Sequence, residues 1–123
     1  MTQALTASSA TRDGSVPFIF HAAQDNNTVD FNAAQDEKIV IIVRNENDSV
    51  AVNTATITVS PGDYWRKDLA TLTAEVADGD AMLQIGPLDS ARFKASNGLV
   101  TINVAVTQSG SVSSVKLGVI NLP

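Results

Sequence analysis

Apolar and polar residues alternate along several short segments of this chain. Residues 54–59 place alanine, isoleucine and valine on one side and threonines on the other, and residues 100–106 alternate in the same way. A period of two separates the faces of a β-strand and does not fit the 3.6-residue period of an amphipathic helix. Residues 38–44 form instead a short apolar run, rich in β-branched residues and bounded by Lys38 and Arg44, which predicts a strand buried on both faces.

Turn sequences separate these segments. Pro61-Gly62-Asp63 ends the first alternating segment, and Asn97-Gly98 favours a type I′ turn because both residues accept positive φ angles. The pattern predicts an all-β chain with about eight short antiparallel strands in a single β-sandwich, of jelly-roll or immunoglobulin-like type. A chain of 123 residues suits one such domain, which we place at residues 15–123.

The turns also predict which strands are neighbours. Residues 69–76 and 81–85 flank Asp78-Gly79-Asp80 in the manner of a hairpin. Residues 92–94 would form a brief strand ahead of Asn97-Gly98.

The first residues of the chain differ in kind from the rest. Residues 1–14 are small and polar and lack apolar alternation, so we expect an extended N-terminal arm that becomes ordered against a neighbouring chain. The alternative is that this segment folds back along its own sandwich. Residues 16–22 follow as an expected strand, with Phe18 and Phe20 on one side and Ile19 and His21 on the other.

Composition excludes several classes of function. The chain has no cysteine, which removes disulfides and thiolate chemistry, and its net charge is −5 with only 17% charged residues. An acidic surface is poorly suited to phosphates or to anionic lipids, so we expect neither a nucleic-acid partner nor a membrane partner. No apolar run approaches the roughly 18 residues of a membrane-spanning helix.

The residues needed for catalysis are scarce. His21 is the one histidine and lies in an apolar stretch, where a packed strand residue is the expected role. The sequence contains neither a Gly-x-Ser-x-Gly elbow nor a glycine-rich phosphate loop. Asp78-Gly79-Asp80 could offer two oxygens to Ca²⁺ but lacks the spacing of an EF-hand loop. We therefore predict no enzymatic activity, no cofactor and no metal site.

One aromatic pair is the best sequence candidate for an interface. Tyr64 and Trp65 are followed by Arg66, and large aromatics beside arginine dominate many protein interfaces. The alternatives are that Trp65 covers one end of the core or, less favoured in acidic surroundings, that the pair stacks on bases.

The order of motifs along residues 15–123 resembles a known family. The sharpest segment is Gly86-Pro87-Leu88-Asp89-Ser90-Ala91-Arg92-Phe93-Lys94, preceded by strands that end in Val-Arg-Asn-Glu-Asn and Ser-Pro-Gly-Asp and followed by a closing Val-Ile-Asn-Leu-Pro. This order resembles small β-sandwich proteins of tailed bacteriophages and prophages that act as head decoration or minor capsid proteins. Within the motif, Leu88 and Phe93 can enter the core, and Arg92 at a strand edge can pair with Asp89 or with a neighbouring subunit.

The resemblance implies a structural protein of the virion. We expect a capsid decoration protein, made in the cytoplasm of a host bacterium, that binds the outer surface of an assembled capsid and braces its subunits. The expected partners are the major capsid protein and further copies of the chain, as a dimer or trimer, and the candidate interface residues are Tyr64, Trp65, Arg66 and Arg92. The alternative is a receptor- or carbohydrate-binding domain of a tail fibre or adhesin, in which Tyr64 and Trp65 would form a stacking platform.

Overall fold

The computed structural model describes residues 2–30, 38–47, 53–62, 71–88, 93–95, 97–107 and 110–123. Strands account for 54% of the described residues. In chain order they are β1 (Thr2–Ala4), β2 (Ala7–Ser9), β3 (Phe20–Ala22), β4 (Asn26–Asp30), β5 (Ile39–Asn45), β6 (Ala55–Val59), β7 (Leu72–Val76), β8 (Ala81–Ile85), β9 (Leu99–Val106) and β10 (Val115–Asn121). The all-β class predicted from alternation is confirmed.

The strands form two sheets of a sandwich. Sheet A has the order β1-β4-β9-β6-β7, and sheet B has the order β2-β10-β5-β8, with β3 also pairing with β10. The β1–β4 and β2–β10 pairs are parallel and all the others are antiparallel. The sheets are therefore mixed, whereas the sequence predicted antiparallel strands throughout.

The core lies between the sheets and contains the apolar side of each alternating segment. Ala55, Ile57 and Val59 of β6 are fully buried, as predicted for residues 54–59. In β5, Ile41 and its core-facing neighbours pack into the same cluster, whereas Val40 is buried outside it. Burial on both faces explains why β5 has no polar alternation.

Two predicted local pairings are wrong. The Asp78-Gly79-Asp80 turn, in which Gly79 and Asp80 have positive φ, carries the chain from β7 in sheet A to β8 in sheet B. Strand β8 pairs with β5 and not with β7, because a turn sequence fixes a change of direction but not the partner of the next strand. Ahead of Asn97-Gly98, residues 93–95 are not in a strand, although the turn itself is closed by Gly98 N–H donating to Ala95 O at 2.9 Å.

The resemblance motif places its apolar residues as expected. Strand β8 ends before Gly86, and Leu88 and Phe93 are buried in the core with 1% and 4% of their surfaces exposed. The backbone N–H of Leu88 donates to Ile39 O at 3.0 Å, which fixes the chain beyond β8 against sheet B. Arg92 lies outside the described residues.

The predicted N-terminal arm is not confirmed. Strand β1 joins sheet A through β4, β2 joins sheet B through β10, and Leu5 between them is 7% exposed in the core. This arrangement corresponds to the alternative in which the segment folds back along its own sandwich. The segment is held mainly by main-chain hydrogen bonds, which need no particular side chain and so leave little apolar pattern in the sequence.

Buried asparagines tie together the loops at one end of the sandwich. Asn45 Nδ2 donates to the carbonyl oxygens of Asn53 at 2.8 Å and Val76 at 3.1 Å. Asn47 Nδ2 donates to Asn45 Oδ1 at 2.8 Å, and Asn47 Oδ1 accepts the backbone N–H of Ser111 at 2.7 Å. Because buried amides are costly unless they are hydrogen-bonded, this network gives the Val-Arg-Asn-Glu-Asn segment a structural role.

Candidate binding surface

Residues 16–20 form an exposed apolar segment on the outer side of sheet B. Val16, Phe18, Ile19 and Phe20 are exposed over 42%, 40%, 43% and 37% of their surfaces. Large apolar side chains that cluster on a surface, as opposed to single scattered ones, indicate a binding site. We call this stretch segment 16–20.

A glycine in β10 positions the segment. Gly118 pairs with Phe20 across the β3–β10 ladder, and the ring of Phe18 occupies the space that a β-carbon at Gly118 would need. The two rings meet edge to face, with centroids 4.8 Å apart and planes at 88°. The geometry is the one aromatic pairs prefer, so each ring restricts the orientation of the other.

The chain before β3 is also fixed. Ser8 Oγ in β2 donates to Pro17 O at 3.1 Å. Beside this contact, Ser8, Val16, Phe18 and Ile120 contribute to a mostly apolar hollow of about 270 Å³. A hollow of this size has room for one or two apolar side chains of a partner.

Charged residues lie beside this surface on the same side of sheet B. The ladder places Lys116, Arg44 and Met82 in one row across β10, β5 and β8. Arg44 Nε lies 3.6 Å from Glu46 Oε2, and Arg44 Nη2 lies 3.6 Å from Asp80 Oδ1. These pairs partly neutralise the row, so the surface is apolar with a charged margin.

The outer side of sheet A has a different character. The residues that face outward on its strands are mainly threonines and asparagines, among them Thr28, Thr56, Thr58, Thr101 and Asn103. Asn103 Nδ2 donates to Asn26 Oδ1, and Ser60 Oγ donates to Asn103 Oδ1 at 3.3 Å. Polar groups on this side therefore bond to one another, and no large apolar side chain is among those exposed there in the described residues.

Of the candidate residues named from the sequence, the interface residues lie outside the described part of the chain and His21 lies within it. Tyr64, Trp65, Arg66 and Arg92 lie outside the described residues, so their role at an interface stays a prediction. His21 lies half-buried in β3, and its Nε2 accepts the backbone N–H of Thr6 at 3.2 Å, which is a packing role.

The two aspartates of the turn are directed at different partners. Asp78 Oδ2 accepts the backbone N–H of Asn53 at 2.8 Å, and Asp80 faces Arg44. Within the described ranges, no three histidines, cysteines or carboxylates lie close enough together to hold a metal ion. In the same part of the chain, no helix has the length and apolar character needed to cross a membrane.

Sequence reasoning missed segment 16–20 as a surface. The sequence predicts a strand with two opposite faces over residues 16–22, whereas β3 begins only at Phe20 and residues 16–19 lie outside any strand. The available signal was four large apolar residues within the five positions 16–20, interrupted by Pro17. An apolar run with a proline and without polar alternation fits an ordinary half-buried strand poorly.

Comparisons with known proteins do not identify the chain. No family model, no curated protein and no solved structure matches it. The resemblance to phage head proteins therefore depends on the sequence motifs alone.

Proposed function

We propose that this protein is a structural component of a phage particle: a capsid decoration protein that binds the outer surface of an assembled capsid and braces its subunits. The observation that carries the proposal is segment 16–20, which holds exposed aromatic and aliphatic side chains in a fixed position on sheet B. Such a surface supports binding to a protein.

The proposed contact has a clear source of free energy. Phe18 and Phe20 each leave more than a third of their surface in water, and transfer of aromatic surface to a protein interface is favourable. Their ring contact and the Ser8–Pro17 hydrogen bond already order the segment. Binding would therefore cost little conformational entropy, which favours affinity.

The capsid is proposed as the partner because of the sequence resemblance. An assembled capsid offers the same site many times, so a small protein can remain bound through several modest contacts when it bridges subunits or associates with itself. On this proposal the direct partner is the major capsid protein, the location is the outside of the virion, and synthesis takes place in the host cytoplasm. Tyr64, Trp65, Arg66 and Arg92 are proposed as additional contact residues.

The direct test is co-sedimentation with undecorated capsids, assembled from the major capsid protein of the phage or prophage that encodes this chain. We expect saturable binding to mature shells, at a fixed ratio to capsid subunits, and weaker binding to immature shells, in which the subunits are arranged differently. Binding should reach half-saturation at or below about 10 µM, the range of modest protein interfaces.

A glycan array is the matched alternative measurement. The carbohydrate-binding hypothesis depends on Tyr64 and Trp65 as a stacking platform. Binding to glycans, combined with no capsid binding at about 10 µM protein, would reject the decoration role and favour a fibre or adhesin domain.

A further inference from the structure

The two lateral sides of the sandwich are closed to different extents. On one side, residues 2–9 pair with both sheets and Leu5 fills the gap between them. On the other side the last strands are β7 and β8, joined by the 78–80 turn. Their core-facing side chains Leu72, Ala74, Ala81 and Leu83 are only partly buried although they pack against the core. The core is therefore less covered along β7 and β8.

Strand β8 is the less protected of these two edges. Its sequence, Ala-Met-Leu-Gln-Ile, carries no charge in a chain of net charge −5, and Met82 is 58% exposed. No described strand pairs with its outer edge. Strand β7 carries the exposed Glu75, and a charge on an edge strand is a common protection against pairing.

We propose that β8 is the site at which a second copy of this chain binds, by antiparallel pairing of the two β8 strands across a two-fold axis. This proposal goes beyond the capsid-binding function and does not depend on it. It would join the two copies of sheet B into one continuous sheet.

The strand is complementary to itself in one register. A two-fold axis through Leu83 pairs all five residues of β8 and places Leu83 opposite its equivalent, on the core-facing side where it is only partly buried. On the outer side, Met82 then lies opposite Gln84 of the second copy. No like charges meet, and main-chain hydrogen bonds supply affinity at an edge with which no described strand pairs.

A charge series tests both the pairing and its register by sedimentation equilibrium. The wild type should form dimers with a dissociation constant in the micromolar range, as expected for a small interface. M82K/Q84K places lysines opposite each other and should weaken the dimer at least about tenfold. M82K/Q84E places lysine opposite glutamate and should bind at least as tightly as the wild type.

The control carries the same added charge on the other edge strand. T73K/E75Q also changes the net charge by +2, at two exposed positions of β7, and should leave dimerisation unchanged. Thermal unfolding of each variant shows that the fold is kept, since all the substituted side chains are exposed.

Four outcomes would overturn the proposal. The wild type could remain monomeric up to about 500 µM, far above the expected dissociation constant. M82K/Q84E could be as weak as M82K/Q84K, which would contradict the register. A trimer, or equal weakening by T73K/E75Q, would show that copies associate through another surface.

Discussion

The two sheets are similar inside the sandwich and different outside it. Each contributes alternating valine, isoleucine and leucine residues to one core. Outside, sheet A presents threonines and asparagines, whereas sheet B carries Phe18 and Phe20 above Gly118. Residues that face the core therefore give little information about binding. The contrast between the outer sides is the basis on which we propose sheet B as the binding side.

The outer sides of sheets A and B differ in the free-energy cost of exposing their side chains to water. Hydroxyl and amide groups on sheet A keep their hydrogen bonds with solvent or with one another, as Asn103 does with Asn26, so their exposure is not costly. Exposed aromatic carbon on sheet B is different, because its burial by a partner makes the free energy of binding more favourable. We expect binding to respond to changes on sheet B and not to changes on sheet A.

The largest expected effect is on capsid binding. Phe18→Ala with Phe20→Ala should weaken co-sedimentation about 100-fold, because truncation of aromatic anchors at an interface costs about 2 kcal/mol or more each and such costs are not additive. The same change should lower the free energy of unfolding by much less than truncation of a core phenylalanine, since both rings lie outside the core cluster.

The matched control lies on the other sheet. Thr56→Ala with Thr58→Ala removes two outward side chains from β6 and should leave capsid binding within about twofold of the wild type. If the threonine pair weakened binding as much as the phenylalanine pair, sheet A would be the binding side and the comparison would be reversed.

A second prediction concerns the segment that the two sheets share. Leu5→Ala should lower the free energy of unfolding by about 2 kcal/mol, near the low end for a buried leucine because Leu5 lies between two edge strands that can relax around the cavity. Urea denaturation measures this change, and Thr6→Ala, at an exposed neighbouring position, is the control. An equally small effect of both substitutions would indicate that residues 2–9 contribute little to the sandwich, as an arm would.

The smallest expected effect comes from a single added methyl group. Gly118→Ala introduces a β-carbon where the Phe18 ring lies, so the ring must move and segment 16–20 loses its fixed position. Capsid binding should fall about tenfold, with a stability change below about 1 kcal/mol because the end of a side chain can shift more easily than backbone.

Ala105→Val on the outer side of sheet A is the control for this substitution. Ala105 is exposed in β9, so the larger side chain should have no effect on binding. Unchanged binding by the Gly118→Ala variant would mean that the position of Phe18 is unimportant for the contact.

Much of the fold could be predicted from local pattern. The core-facing residues of β6 follow from the alternation of apolar and polar residues. The burial of Leu88 and Phe93 follows from the turn at Gly86-Pro87. The pairing of β8 with β5 could not be predicted, because strand order is set by packing across the whole sandwich. The inclusion of residues 2–9 in the sandwich could not be predicted either, since main-chain pairing leaves Leu5 as the one large apolar side chain in this segment.

The candidate surface was less accessible to sequence reasoning. Phe18 and Phe20 could be named as apolar residues, but their exposure depends on Gly118, which is about a hundred positions away in the chain and lies next to them only in the folded sheet. Glycine in a strand does indicate a close approach by another group. The sequence does not show which group approaches.

Hydrogen–deuterium exchange of the free and the capsid-bound protein tests the central claim most directly. If sheet B binds the capsid, the backbone amides of Val16, Phe18, Ile19 and Phe20 should exchange more slowly in the bound state, while those of residues 55–59 in β6 should be unchanged. Slower exchange confined to the strands of sheet A, with no change in segment 16–20, would contradict the account.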